Sequence, residues 1–178
     1  MGSRGINLKS ELIKGLKFLI GITAFYTLFW LVISSLDLYP LKAAIATASN
    51  ALLNLFGVPS QLLFLSEPMI VVANVYAQIG NLCAGDIEIA LLLAIILATW
   101  DRSWRSRFWG AFFGLLLIAM ANPVRIFTVL AVGYYTNWAW ADFTHDVLFR
   151  LMLIIIIVVY YFLWYVEYDE IRKKFKRV

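Results

Sequence analysis

Among its 178 residues the sequence contains one cysteine, one histidine and four prolines, and only 15% of its residues are charged. A single cysteine excludes a disulfide framework within the chain, and one cysteine with one histidine excludes a conventional Cys/His zinc site. The sequence has no phosphate-binding loop and no nucleic-acid module, so we expect neither a cofactor nor a nucleic-acid partner. Apolar residues, by contrast, make up 63% of the chain, against about 45–50% in ordinary soluble domains. A soluble enzyme is therefore excluded, and a small polytopic membrane protein remains.

Four stretches of the sequence are predicted to cross a bilayer, which takes about 20 predominantly apolar residues. These stretches are residues 18–36, a segment that begins between 83 and 87 and ends at 100, residues 108–121 at least, and residues 147–166. We therefore expect an all-α polytopic membrane protein, a single integral membrane domain of residues 1–178 with at least four transmembrane helices. A cleaved signal peptide is the alternative for the first stretch, but its apolar run exceeds the usual ~7–15 residues and no clear cleavage site follows it.

Residues 37–82, between the first two predicted spans, are expected to form a cap on the outer face. Residues 41–56 have apolar side chains at helical spacing, which predicts an interfacial helix ended by a glycine and a proline. The polar side of this helix is formed by Lys42, Ser49, Asn50 and Asn54. Two short runs rich in Val and Leu, 62–65 and 69–76, predict a strand pair, and a pair of further spans is the alternative.

The basic residues predict the orientation of the spans, because Lys and Arg concentrate in cytoplasmic segments. Twelve of the fifteen fall at the amino end, in the turn between the second and third spans, and in the carboxyl tail. They are Arg4, Lys9, Lys14, Lys17, Arg102, Arg105, Arg107, Arg172, Lys173, Lys174, Lys176 and Arg177. We therefore expect a multi-pass protein of the cell membrane with both termini cytoplasmic, in tails at 1–17 and 167–178. Lys42, Arg125 and Arg150 remain for the outer side.

This orientation places the single cysteine near the outer start of the second predicted span, within Cys83-Ala84-Gly85. A thiol at a helix amino terminus lies beside exposed N–H groups, which favour the nucleophilic thiolate. Gly85 would let a substrate backbone approach closely, whereas Asp86 and Glu88 would favour the neutral thiol unless cations offset them. The alternative is a small hydrophobic residue at a helix start, which describes most lone membrane cysteines.

Arg125 lies in Asn122-Pro123-Val124-Arg125, about 25 Å along the third predicted span and hence near the outer edge of the hydrocarbon core. Because Pro123 breaks the ladder of backbone hydrogen bonds, we expect one long kinked helix that reaches about residue 138. The alternative is a span that ends there and an interfacial helix that begins at Asn122. An arginine that snorkels to phosphate headgroups is the alternative to a functional role.

His145 lies just ahead of the last predicted span, close to two tryptophans that mark the outer interface. Asp142 is expected to cap the following helix, and either Asp142 or Asp146 could hold the imidazole in one tautomer. A tolerated interfacial histidine is the alternative. Together with Cys83 and Arg125, His145 would complete a thiol, a cation and a proton carrier on one side, which are the parts that cysteine acyl transfer needs.

Three short motifs in this sequence resemble the archaeosortase/exosortase family. Cys83-Ala84-Gly85 matches C-[SA]-G, Asn122-Pro123-Val124-Arg125 matches N-x-x-R, and His145 precedes a final span as the family's histidine does. The similarity covers residues 40–165, and the visible departure is Phe149, where a glycine is expected one turn after the histidine.

The resemblance implies a membrane-embedded protein-sorting transpeptidase that cleaves surface proteins at a carboxyl-terminal signal made of a short motif, an apolar helix and a basic cluster. Cys83 would be the nucleophile that forms a thioester, Arg125 would steady the thiolate or the oxyanion, and His145 would move the proton. The supporting residues would be Asn122, Asp142, Asp146 and Gly85. The trimmed protein would pass to a lipid or another amine acceptor.

A non-catalytic membrane subunit is the rival interpretation, in which Arg125 and Glu88 stabilise helix packing or bind a partner. A transporter or channel is disfavoured, because no acid or base lies mid-span in the first or last predicted segments. The small residues Gly110, Ala111 and Gly114 could bind a signal helix, but packing of the protein's own helices is the preferred interpretation.

Overall fold

The computed structural model of the protein describes residues 8–80, 83 and 85–175. The helices are α1 (Leu8–Ser35), α2 (Tyr39–Leu55), α3 (Asp86–Leu97), α4 (Trp104–Tyr135), α5 (Trp138–Phe143) and α6 (Phe149–Phe175), with a π-helical turn (Thr144–Leu148) between the last two. The strands are β1 (Ser60–Phe64), β2 (Pro68–Val72) and β3 (Val75–Gln78). The chain is therefore a mostly helical polytopic membrane protein with one small sheet, as its composition predicts.

Three helical segments in the described ranges are long and apolar enough to cross a bilayer. They are Lys9–Ser35, Trp104–Tyr135 and Trp138–Val166. The second predicted span instead forms α3, whose 12 residues extend only about 18 Å against a hydrocarbon core of about 30 Å. α1 begins at Leu8, ten residues before the predicted span, and α6 continues to Phe175, past its predicted end.

α3 lies antiparallel to α4 despite its short length. A Cβ added to Gly114 of α4 would lie 2.5 Å from Leu92 Cδ2, and near the start of α4 Arg107 donates from Nη1 to the carbonyl oxygen of Leu97 at 3.0 Å. α1 packs along α3, and the ring of its Phe25 lies 5.8 Å from that of Trp100 in the following turn. The polypeptide thus returns from the end of α1 to the start of α4 by way of α2, the sheet and α3.

α6 packs against the first half of α4 through two hydrogen bonds to backbone oxygens. The Tyr160 hydroxyl donates to the Gly110 carbonyl at 2.6 Å, and Trp164 Nε1 donates to the Ser106 carbonyl at 3.2 Å. A Cβ at Gly110 would lie 2.5 Å from Trp164 Nε1. Gly110 and Gly114 therefore pack the protein's own helices, which confirms the preferred interpretation of these small residues.

α4 continues through Pro123 as a single helix to Tyr135. The prediction of one long helix is therefore confirmed, and the alternative of a separate interfacial helix from Asn122 is wrong. Opposite this point, the Ser49 hydroxyl of α2 lies 3.3 Å from the Pro123 carbonyl oxygen and 2.8 Å from that of Ile45. A polar side chain of the cap thus reaches the backbone of the membrane helix beside the proline.

The cap is built on α2, which matches the predicted interfacial helix closely. Its buried side chains join β2 and the carboxyl-terminal half of α4 in one apolar core. The core consists of Ile45, Ala46, Leu53, Val58, Ile70, Val72, Ile79, Ile126 and Leu130. Two members of the predicted polar side, Lys42 and Ser49, are buried rather than exposed, which corrects the prediction. Both are buried because each finds a partner in a distant part of the chain.

The sheet is a three-stranded antiparallel meander in the order β1-β2-β3. The predicted strand at 69–76 is in fact two strands, β2 and β3, joined by a two-residue turn in which Ala73 has φ +52°. Residues 39–78 therefore form one 17-residue helix and three strands, not the two helices that a pair of further spans would need.

Lys42 ties α2 to the turn between β1 and β2. Its Nζ lies 2.7 Å from both carboxylate oxygens of Glu67, and the lysine side chain is only 7% exposed. A buried ammonium depends on its counter-charge, because the cost of removing it from water is otherwise not offset. The ion pair thus holds the sheet onto the helix of the cap.

We expect Glu67→Ala to lower the free energy of unfolding by about 3 kcal/mol, because it strands the buried ammonium of Lys42. The measurement is the thermal unfolding midpoint in detergent micelles. Lys14→Met is the matched control, because Lys14 and Glu11 also form an ion pair but are both largely exposed, and such pairs contribute little. Equal midpoints for the two variants would contradict a structural role for the buried pair.

Candidate active site

Cys83 lies in the connection between β3 and α3, at the edge of the cap core. Its backbone N–H donates to the Gly80 carbonyl oxygen at 3.0 Å, and its side chain, a partly buried free thiol, packs against that core. α3 begins at Asp86 with Gly85 as its N-cap. Cys83 therefore lies three positions before the first residue of α3, and that residue falls within the range 83–87 predicted for the start of the second span. Ala84, the middle residue of the motif, lies outside the described residues.

Gly85 brings the cysteine segment against the middle of α4. It has φ +79°, and a Cβ at this position would lie 2.5 Å from Asn122 Nδ2. Asn122 is 1% exposed, so its side chain cannot simply swing away. The residues predicted as supporting, Gly85 and Asn122, are thus in direct contact, and two of the three motifs meet here.

We expect Gly85→Ala to lower the unfolding midpoint more than Gly57→Ala does. Both glycines have the same left-handed φ, +79° and +78°, so both variants carry a strain of about 1 kcal/mol. At Gly57 the nearest atom to the new Cβ is Tyr135 Oη at 3.8 Å, whereas at Gly85 a clash with Asn122 adds about 1–3 kcal/mol. Equal shifts in the two midpoints would mean that the contact with Asn122 is not tight.

Arg125 lies one turn beyond Asn122 and is 4% exposed. Its Nη1 is 3.9 Å from Glu88 Oε1 of α3 and makes no hydrogen bond within the described part of the chain. A guanidinium buried with a single long ion pair retains donors that can bind another anionic atom. Burial also argues against the alternative that Arg125 snorkels to the phosphate headgroups.

Glu88 was not among the residues predicted for the site. Its side chain is 18% exposed and faces Arg125 across the α3–α4 interface. The signal for it was an acidic residue in the first turn of a helix that is apolar from Ile89 onward, five positions after the cysteine. Sequence alone paired it with Arg125 only in the rival, non-catalytic interpretation.

His145 lies in the π-helical turn between α5 and α6. Its Nδ1 is 3.0 Å from Asp146 Oδ1, and its side chain is 39% exposed. Asp142 lies inside α5, whose N-cap is Asn137, and the helical backbone continues from α5 through the turn into α6. The prediction that Asp142 caps the last helix is therefore wrong. π-Helical turns are rare and often mark functional sites.

The packing of α6 on α4 sets the level of His145. Tyr160 lies beside Gly110 and Trp164 beside Ser106, so the two helices are antiparallel, and a step of four residues along α6 matches a step of four along α4. Extending this register from the Tyr160–Gly110 pair by fifteen residues, about 22 Å along the helix axis, places residue 145 at about the same height as Arg125. Within the described residues, however, the polar contacts of Cys83, Arg125 and His145 do not include one another.

The architecture defines a multi-pass membrane protein in which the segment of Cys83 contacts the turn of α4 that contains Arg125. The family model described as transmembrane exosortase matches residues 2–162, nearly the whole chain, and the chain belongs to that family. Comparison with curated proteins and with solved structures gives no match. Family membership makes the protein a membrane-embedded sorting transpeptidase in general terms. The family acts on membrane-anchored substrates that carry C-terminal signals.

Proposed function

We propose that this protein cleaves the carboxyl-terminal tripartite signal of surface proteins through a thioester on Cys83 and transfers the trimmed protein to a lipid or another amine acceptor. The observation that carries the proposal is the contact of Gly85 with Asn122. It joins the cysteine segment to the turn of α4 that holds Arg125, so the thiol and the buried guanidinium belong to one region of the fold.

The chemistry begins with proton transfer from the Cys83 thiol to His145. The thiolate attacks the scissile carbonyl carbon, and the negative charge moves to the carbonyl oxygen. Arg125 stabilises this oxyanion with the donors that Glu88 does not use. The C–N bond then breaks, the imidazolium gives its proton to the leaving amine, and the acyl group remains on sulfur as a thioester.

The second half of the reaction reverses these roles. The incoming amine gives a proton to His145 as it attacks the thioester carbon, and the Cys83 thiolate leaves. Asp146 holds Nδ1 of His145, which leaves Nε2 to carry the proton. The contacts of His145 in this structure do not include Cys83, so the mechanism requires the two side chains to approach each other when the substrate binds.

The orientation that this chemistry requires has both termini in the cytoplasm and Cys83 at the outer face. The antiparallel course of α3 against α4 supports it, because the basic residues of the predicted cytoplasmic turn, Arg102, Arg105 and Arg107, then lie at the opposite end of these helices from Gly85. A signal helix with a basic tail would insert with that tail in the cytoplasm. Its cleavage motif would lie at the level of the cap.

We expect a membrane-impermeant thiol reagent added to intact cells to label Cys83, because the proposed topology exposes the segment 80–85 to the outside. Cys83 is the only cysteine of the chain, so any labelling is unambiguous. A Cys83→Ala variant should take up no label. Labelling that requires permeabilised cells would contradict the assigned orientation.

The proposed function is tested by co-expression with a candidate tripartite-tail protein from the same genome. We expect the tail protein to be shortened and a thioester adduct to form on Cys83, released by hydroxylamine. A full-length tail protein beside correctly inserted enzyme, for every candidate of that genome, would refute the proposal.

The rival function, a non-catalytic subunit, also has a specific observation in its favour. The ion pair between Arg125 and Glu88 and the packing of Cys83 on the cap core both stabilise structure without any chemistry. The two functions differ in the activity that they predict for a variant in which both Arg125 and Glu88 are replaced by apolar residues.

A further inference from the structure

The sheet ends in an edge strand, β3, that leads directly toward Cys83. β3 pairs on one side with β2 in the register Met69–Gln78, Ile70–Ala77, Val71–Tyr76 and Val72–Val75. Its sequence, Val75-Tyr76-Ala77-Gln78, contains no charge and no proline, the features that usually keep an edge from pairing. The free side of β3 is therefore competent to accept another strand.

The ladder with β2 shows which peptide groups face this free side. Ile79 N–H donates to the Pro68 carbonyl at 2.8 Å, so residues 75, 77 and 79 direct their peptide groups toward β2. The peptide groups of Tyr76 and Gln78 must then point away from it. They form no hydrogen bond to any other part of the chain that the structure describes.

The opposite edge of the same sheet is closed where it begins. Peptide groups alternate in direction along β1 as well, so those of Ser60 point away from β2. The Asn54 side chain forms hydrogen bonds to them. Asn54 Oδ1 accepts from Ser60 N–H and Nδ2 donates to the Ser60 carbonyl, both at 3.4 Å. A side-chain amide thus takes the place of a strand at β1, whereas no side chain within residues 8–80, 83 and 85–175 forms such hydrogen bonds to the outward peptide groups of β3.

The open edge ends close to the proposed nucleophile. The hydrogen bond from Cys83 N–H to the Gly80 carbonyl closes a turn, which holds the two Cα atoms within about 7 Å. Gly80 follows Gln78 by two residues, about 7 Å of extended chain. The two distances add to at most about 14 Å, so a peptide paired with Tyr76 and Gln78 would reach the region of Cys83 within about four of its own extended residues.

We propose that the edge of β3 is the substrate-binding strand: the segment of the membrane-anchored substrate that contains the scissile bond adds to the sheet as a fourth strand, hydrogen-bonded to the peptide groups of Tyr76 and Gln78. This inference rests on the proposed function and adds the mode of substrate recognition. Strand addition fixes an extended peptide through its backbone and leaves alternate side chains for specificity. It also places the scissile carbonyl without a deep pocket.

The test removes one outward donor and leaves the ladder with β2 intact. Gln78→Pro eliminates the N–H that faces the free edge, and proline is tolerated at such edge positions. We expect processing of the co-expressed tail protein to fall at least tenfold through a higher KM. Gln78→Ala, which keeps the N–H and removes only the side chain, should reduce processing clearly less than Gln78→Pro does. Phe64→Pro, at an outward position of the opposite edge, should stay within twofold of the unmodified protein.

The labelling rate of Cys83 by the impermeant thiol reagent reports whether Gln78→Pro preserves the fold. As a second measurement, Tyr76→Cys in a Cys83→Ala background is paired with single cysteines moved along the substrate segment. We expect disulfide cross-links that recur at every second substrate position, as an extended strand requires.

Four results would overturn the inference. They are normal processing by Gln78→Pro, equal losses for Gln78→Ala and Gln78→Pro, cross-links without the two-residue period, and a change of oligomeric state in Gln78→Pro without a change of processing. The last would assign the edge to a second copy of this chain. Failure of the proposed function is separate, since it would appear as continued processing by Cys83→Ala.

Discussion

Cys83→Ala should abolish shortening of a co-expressed tripartite-tail protein. The rate of shortening should fall by a factor on the order of 1000 or more, because without the sulfur no thioester can form. Cys83→Ser should lose nearly as much, since a hydroxyl at this position is a much weaker nucleophile than a thiolate. Both variants should insert normally, because the cysteine is only partly buried at the edge of the cap core. Shortening is followed by the electrophoretic mobility of the tail protein.

The matched control for this experiment is Thr47→Val on the exposed side of α2. The Thr47 hydroxyl bonds only to the Ala43 carbonyl of its own helix, so removing it changes a polar atom of the cap without touching the proposed chemistry. We expect normal shortening by this variant. Shortening that persists in Cys83→Ala would remove the enzymatic proposal altogether and favour the non-catalytic subunit.

Arg125→Lys should reduce the rate of shortening about 100- to 1000-fold, the usual effect of removing an oxyanion donor. Lysine keeps the charge that balances Glu88, but it lacks the planar fork whose second nitrogen would reach the oxyanion. The loss should therefore appear mainly in kcat rather than in insertion or stability. The measurement is the rate of shortening, compared at equal amounts of membrane-inserted enzyme.

Arg107→Lys is the control, because Arg107 is a half-buried arginine whose Nη1 donates to the backbone carbonyl of Leu97, at the opposite end of α3 and α4 from Arg125. The Arg107→Lys variant should shorten the tail protein at the normal rate. If Arg107→Lys and Arg125→Lys lost activity equally, the proposed stabilisation of the oxyanion by the Arg125 guanidinium would be contradicted.

The double variant Arg125→Met/Glu88→Leu separates the two functions most sharply. Replacing both members of a buried ion pair by apolar residues of similar volume is often neutral for stability. A purely structural pair predicts a folded and functional protein. The proposed mechanism predicts a folded protein with no shortening activity, and recovery of activity in this variant would contradict it.

Much of this molecule follows from local sequence patterns. Apolar runs determined the membrane class and the helices α1, α4 and α6, and the spacing of apolar residues in 41–56 predicted α2 nearly to its ends. Family resemblance rested on Cys83-Ala84-Gly85 and Asn122-Pro123-Val124-Arg125, and the family match agrees. Periodicity and motif order are properties of adjacent residues, which explains why the sequence by itself sufficed for them.

Tertiary structure decided what depends on partners far apart in the chain. Lys42 is buried because Glu67, 25 positions away, neutralises it, and Arg125 is buried facing Glu88 across a helix interface. The third strand exists because a turn at Ala73 divides a run that looked continuous. The level of His145 follows from the register of α6 on α4. Burial of charge, strand pairing and helix register each require two surfaces to meet, and their meeting is set by the fold.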